Sequence, residues 1–218
     1  MLIILIYFLL QDQLSAAESN TVCDKNSDTY VNYHVDYGKP IYRSVSNFPE
    51  GIRNIDQYHV RGLTDINYKR SYNIKVKLIT KNNVACLKID SVDVYFGYPS
   101  INVFIYDKYP IESCEYRVIK QHENEHVKIY QSALKMYSES IGRIILNRIK
   151  DKKQMLIEDV DNVKNKTKEY VQEVKDFITS DEELNKIESK MIKEIEYLNN
   201  LLDTKENYNK TKKLCNNW

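Results

Sequence analysis

From Cys114 to about Tyr137 the chain contains neither proline nor glycine, and Ile119, Glu123, His126, Tyr130, Ala133, Leu134 and Tyr137 recur at helical spacing. Residues placed that way line one side of a helix. Pro110 stops what precedes it, Ser113 is an N-cap candidate, and Glu115 sits in the first turn, where the helix dipole favours a negative charge. A long central helix divides the 218 residues into segments that must pack on it. A chain of this length buries one good-sized core and has room for a second small helical unit.

The residues before the helix alternate with period two. Val31, Tyr33, Val35 and Tyr37 share one face and Tyr30, Asn32, His34 and Asp36 the other, until Gly38-Lys39-Pro40. After a looser stretch around Phe48-Pro49-Glu50-Gly51, Ile74, Val76 and Leu78 alternate with Asn73, Lys75 and Lys77 up to Lys81-Asn82-Asn83. A longer strand spans Ala85 to Phe96, Gly97-Tyr98-Pro99-Ser100 reads as a turn, and Ile101, Val103 and Ile105 alternate again. The pattern predicts a small antiparallel meander of three or four strands.

Beyond Lys150 the period changes. Leu156, Val160, Val163, Thr167, Tyr170, Val174 and Phe177 step by three and four, and after a capping-box pattern at Ser180-Asp181-Glu182-Glu183 so do Leu184, Ile187, Met191, Ile195, Leu198 and Leu202. Two narrow apolar seams joined at Thr179-Ser180 predict a helical hairpin or coiled coil. The expected class is therefore α+β, with an α+β domain over 18–150 and a helical extension over 151–218. That extension could cover the first domain or mediate homo-oligomer formation. Asn165-Lys166-Thr167 and Asn209-Lys210-Thr211 match glycosylation acceptors, meaningful only in a eukaryotic secretory pathway.

A formal charge of +1 argues against nucleic acid or an acidic membrane surface as the main partner. Residues 2–10 form an apolar run, and nine residues at helical rise span about half of a bilayer core of roughly 30 Å. With Ser15-Ala16-Ala17 supplying a cleavage site, residues 1–17 read as a signal peptide, although only Met1 precedes the run where a positively charged segment is usual. No other run approaches the length of a span, so a secreted or periplasmic location without a stable membrane span is expected. Four cysteines, Cys23, Cys86, Cys114 and Cys215, then suggest disulfides in one of three connectivities. Cys86 opens a strand and Cys114 opens the central helix, so the expected pairs are Cys86 with Cys114 and Cys23 with Cys215.

The chemistry-bearing segment is Gln121-His122-Glu123-Asn124-Glu125-His126. Histidines four apart stand one above the other on a helix face and can converge on one tetrahedral ion, zinc above all. In H-E-x-x-H hydrolases zinc lowers the pKa of a water to about 7, and the glutamate takes its proton as it attacks a polarised carbonyl. Two of only four histidines in the chain fall in this pattern.

The stretch from Cys86 to Tyr130, with Cys86-Leu87-Lys88-Ile89, Val92-Asp93-Val94, Cys114 to Ile119 and His122 to Val127, resembles a family of uncharacterised bacterial exported proteins. That family is a domain of unknown function regarded as HExxH zinc-dependent proteases. The resemblance implies a zincin-like active-site helix, His122 and His126 as metal ligands and Glu123 as general base. It does not reach past Lys150.

A catalytic zinc needs a third protein ligand. No histidine follows His126, which leaves Glu139, Glu158, His34 and His59 as candidates. Glu139 lies about 20 Å from His126 if the helix stays straight, so it serves only if the helix breaks near Ser138. Tyr130, one turn past His126, could stabilise an oxyanion or simply pack. The expected function is an exported zinc peptidase acting on a peptide or protein substrate. The alternative is a non-catalytic extracytoplasmic interaction protein whose C-terminal helices bind a partner.

Overall fold

A computed structural model describes Cys23 and residues 29–48, 61–81, 84–157 and 160–215. The leader over 1–17, the Pro49-Glu50-Gly51 stretch, His59, the Asn82-Asn83 turn and Glu158 lie outside the described residues. The elements are β1 (Tyr30–Asp36), β2 (Pro40–Val45), β3 (Gly62–Ile66), β4 (Lys69–Lys81), β5 (Val84–Gly97), β6 (Ile101–Tyr106), α1 (Cys114–Asp151), β7 (Met155–Ile157), α2 (Val163–Thr179), α3 (Glu182–Leu202) and α4 (Lys205–Lys212). The fold is mixed α and β.

α1 begins where the cap predicts: the Tyr116 backbone N–H donates to Ser113 Oγ at 3.1 Å. It runs without interruption for 38 residues, past Gly142 and well beyond Tyr137, because Ile141, Ile144, Ile145 and Ile149 continue the buried stripe. The second C-terminal helix starts one residue later than the capping box suggests, since Asp181 Oδ1 accepts from Leu184 N at 2.9 Å.

The strands do not form one antiparallel meander. They make two sheets, one ordered β1-β5-β4 with β7 also on β5, the other ordered β2-β6-β3. β2 runs parallel to β6, pairing Pro40 with Ile101 through Val45 with Tyr106. β3 runs antiparallel to it, pairing Gly62 with Ile105 and Ile66 with Ile101. Alternation identifies a strand and its buried face but not its neighbour. The departure of β6 from β5 follows Gly97, whose φ is 147°. A Cβ there would stand 2.0 Å from the Asp36 carbonyl oxygen, the same oxygen that accepts from Tyr98 N at 2.8 Å. Only glycine lets the chain turn this close to β1.

The described residues divide into two compact units. One takes the chain through His34, Ser71–Val94 and Gly142–Asn185, and its core includes Leu87, Ile89, Val92, Ile145, Tyr170 and Val174. The other takes Val35–Arg70, Tyr95–Ile141 and the chain from Lys186, with Phe96, Tyr98, Ile101, Ile105, Leu134 and Met191 buried. The helices after Lys150 are thus shared between the two units.

Each unit holds one disulfide, and the expected pairing is corrected. Cys23 bonds Cys86 and Cys114 bonds Cys215. Cys86 is fully buried on β5, whereas Cys114 is the first residue of α1, the point to which the end of the chain returns. Loop closures of 63 and 101 residues depend on topology that residue spacing does not carry. Two disulfides fit an oxidising compartment. Among the described residues no helix is long and apolar enough to cross a membrane.

Candidate metal centre

The second unit alone builds the site. α1 presents His122 and Glu123 side by side and His126 one turn on, and their ligand atoms all lie within 4.8 Å of one another. α3 packs on the same unit through buried Met191 and Ile195, and its polar side chains are anchored along its length. Tyr68 and Arg70 hold Glu188 at 2.8 and 2.6 Å, and Tyr137 donates to Glu194. At the end of α3 the helix stops because Thr204 caps α4, its Oγ1 accepting from Asn207 N at 3.3 Å. Asn207 Nδ2 donates back to the Leu201 and Leu202 carbonyls at 3.0 and 3.1 Å. The break leaves Asp203 between the two helices.

Asp203 completes what the histidine pair begins. Its Oδ1 lies 3.1 Å from Nε2 of His122 and 3.1 Å from Nε2 of His126, and the two Nε2 atoms are 3.3 Å apart. Donors held about 2.0–2.1 Å from a tetrahedral ion stand about 3.3–3.4 Å from each other. The three atoms therefore form nearly the triangle that a metal ion with bonds of that length requires.

The orientation of His126 is fixed from behind. Its Nδ1 is 2.8 Å from Asn199 Oδ1, an acceptor, so Nδ1 carries the hydrogen and Nε2 keeps its lone pair toward Asp203 in the neutral ring. Asn199 Nδ2 in turn donates to Tyr130 Oη at 3.1 Å. The His122 ring is nearly perpendicular to that of His126 and lies 5.4 Å from the ring of Tyr208 on α4.

Glu123 is nearly inaccessible, 3% exposed. Thr64 on β3 donates to its Oε2 at 2.8 Å, and β3 approaches so closely that a Cβ at Gly62 would stand 2.6 Å from Glu123 Oε1 and from Ile119 Cγ2. Gly62, Leu63 and Thr64 form one wall of a cleft of about 480 Å3, open mouth included, and Glu123, His126, Tyr130, Asn199, Asp203 and Tyr208 line the rest.

Charge follows from this packing. Burial raises the Glu123 pKa, and Asp203 adds to the rise, while His126, the Thr64 hydrogen bond and His122 offset only part of it. Burial alone would also lift Asp203, but the hydrogen bonds and charges of the two histidines hold it at about 2. Burial works against charge on His126 as well, yet Asp203, Glu123 and Asn199 outweigh it and push the pKa to about 8. A buried carboxyl beside two histidines and a second carboxylate, opening on a cleft, is the arrangement in which perturbed groups gather for proton transfer.

His122, Glu123 and His126 thus come together as a group. The expected third ligands do not join them. Glu139 is exposed on the same unbroken helix, about 20 Å along its axis from His126. His34 is exposed on β1 and belongs to the other unit. His59 and Glu158 lie outside the described residues. Asp203, Asn199, Thr64 and Gly62 were not singled out by the motif. The one available signal for Asp203 was the end of the apolar seam at Leu202, followed by Thr204 with a capping hydroxyl. No family model, curated protein or solved structure matches the chain.

Proposed function

We propose that the protein is an exported zinc-dependent hydrolase, most simply a peptidase, with a zincin-like helix α1 and a His122, His126 and Asp203 ligand set. The observation that carries the reading is the triangle of donor atoms with edges of 3.1, 3.1 and 3.3 Å. Two nitrogens and one carboxylate oxygen form a borderline-soft donor set suited to zinc, and three protein ligands leave a fourth position open, as catalytic sites require. Zinc at such a site acidifies a water and polarises a carbonyl. Glu123 takes the proton: it is buried, raised in pKa and held by Thr64 beside the ligands without joining the triangle. β3 is an edge strand of its sheet and forms a wall of the cleft, an edge with which an extended peptide can pair, which favours a peptide substrate. The two disulfides support export, and the leader over 1–17 is its expected signal.

The test combines zinc content, by atomic absorption, with cleavage of a proteome-derived peptide library, read as new termini by mass spectrometry. The wild type is expected to hold one zinc and to cleave. Glu123→Gln should keep the metal and lose cleavage by about three orders of magnitude or more, while Asp203→Asn and His126→Ala should lose both. A wild type that stays zinc-free after reloading, or a Glu123→Gln variant as active as wild type, overturns the reading. The competing interaction-protein reading gains from the first of these outcomes.

A further inference from the structure

Tyr130 is a polar group in the cleft whose bond with Asn199 leaves it a hydrogen to give. Its Oη receives a hydrogen bond from Asn199 Nδ2 at 3.1 Å. The direction of that bond is fixed, because the amide oxygen of Asn199 faces His126 Nδ1. The phenol therefore acts as acceptor toward Asn199, and its own O–H remains to donate. Its ring is placed by an edge contact with the buried Tyr98 ring, centroids 6.0 Å apart. Tyr130 lines the same cleft as Glu123, His126 and Asp203. Burial, with Asp203, Glu123 and Asp65 adding to it, raises the Tyr130 pKa against the Asn199 hydrogen bond, so the group stays a protonated donor.

We infer that Tyr130 is a catalytic residue whose hydroxyl donates a hydrogen bond to the oxyanion formed when a peptide carbonyl is attacked beside the ligand triangle. The inference rests on the hydrolase reading above. In the step, Glu123 removes one proton from the attacking water, a C–O bond forms, and the carbonyl π pair moves onto oxygen. Tyr130 hydrogen-bonds that oxygen and keeps its proton. Collapse returns the pair to re-form the carbonyl, the C–N bond breaks, and the proton on Glu123 passes to the leaving amine. A donor aimed where charge develops acts on the transition state and not on substrate binding. Its anchor sits on the network that orients His126, so the donor and the ligand are positioned together.

The test is Tyr130→Phe in the full-length, zinc-loaded protein, beside Glu123→Gln, on the peptide that the wild type cleaves best from the library. Phenylalanine keeps the ring against Tyr98 and removes only the hydroxyl. The expected result is a kcat lower by about 10²-fold, the scale of one lost oxyanion donor, with KM within about threefold and zinc content unchanged. Binding of a phosphinic peptide of the same sequence, whose tetrahedral oxygens imitate the oxyanion, should weaken by a similar factor. A kcat within threefold of wild type overturns the inference, and so does a kcat loss that is matched by loss of zinc. Inactive Glu123→Gln with active Tyr130→Phe defeats this inference alone. A wild type without cleavage defeats the hydrolase reading and this inference with it.

Discussion

One helix serves two units in opposite ways. Between Cys114 and Ile141, α1 buries Glu123 and His126 along with Ile119, Val127 and Leu134; from Gly142 onward it buries Ile144, Ile145 and Ile149 and no titratable group. In the unit built on the second segment Arg148 stacks on Phe177 at 3.7 Å and pairs with Asp181 at 2.9 Å, and its buried charged side chain among the described residues is Lys88 on β5. The unit built on the first spends stability on an enclosed carboxylate and imidazole cluster, since ionisable groups are costly to desolvate. A periodic apolar stripe supports either use, and it is the polar interruption that marks where function is placed. If that is right, the two units should answer the same perturbations differently.

The largest difference should come from the disulfides. Each closes a long loop, and removing either by paired Cys→Ser substitution is expected to cost about 2–5 kcal/mol in stability. Only the Cys114–Cys215 bond ties α1, which carries His122 and His126, to the chain just beyond Asp203. The Cys114→Ser/Cys215→Ser variant should therefore bind zinc at least tenfold more weakly in competition with a chelating dye. Cys23→Ser/Cys86→Ser should leave that affinity within about twofold. Equal losses in the two variants would dissolve the distinction between a structural unit and a site-bearing one.

Next comes Gly62→Ala. The added Cβ would lie 2.6 Å from Glu123 Oε1, so Glu123, the proposed base, or β3 must shift. Displacements on the ångström scale at a reacting group cost about 10²-fold in rate. Cleavage is expected to fall by one to two orders of magnitude with zinc still bound. Undiminished cleavage would mean that Glu123 is not the base in this position.

A smaller effect is the response to pH, and its sign reverses with metal. In the metal-free protein the His126 pKa is raised to about 8, so protonated His126 stabilises the fold below its ordinary value near 6.5 and that contribution fades as pH rises through about 8. Asp203, held at about 2, contributes throughout this range and is lost only in strong acid. Thermal melts in chelator should thus fall between pH 6 and pH 9. With His126 a zinc ligand as proposed, the metal would compete with its proton, so the increment in Tm that zinc supplies should grow over the same interval. Parallel trends with and without zinc would show that His126 does not meet the ion.

These contrasts rest on features that were unequally legible in the sequence. The Ser113 cap, the helical stripe and the His122 to His126 spacing are local, decided within a few residues, and the structure reproduces each. The alternation that marks β1, β4, β5 and β6 is local too. What was not legible is relational. Asp203 stands 77 residues beyond His126, and its place depends on Thr204 ending α3 at that residue. The parallel pairing of β2 with β6 and the Cys114–Cys215 bond likewise depend on where distant segments return. Period and spacing describe an element's faces, but they do not name the partner a face will meet.

The smallest expected effect isolates the comparison most cleanly, because it repeats one substitution in the other unit. Gly142 sits inside α1, where glycine is about 0.5–1 kcal/mol less favourable than alanine. Its carbonyl accepts from Tyr33 Oη at 2.6 Å, a bond that a side chain at 142 leaves intact. A Cβ there would meet the Tyr33 ring at 3.6–3.8 Å, ordinary van der Waals contact. Gly142→Ala should therefore stabilise the protein by about 0.5–1 kcal/mol, raising Tm by roughly 1–4 °C for a chain of this size, with zinc content and cleavage unchanged. The same change at Gly62 strikes Glu123. Opposite outcomes for one methyl group would show that the unit holding His122, Glu123 and His126 is constrained by its site, and the other by packing alone. A fall in Tm for Gly142→Ala would mean that the apolar half of α1 is also held by a constraint beyond packing.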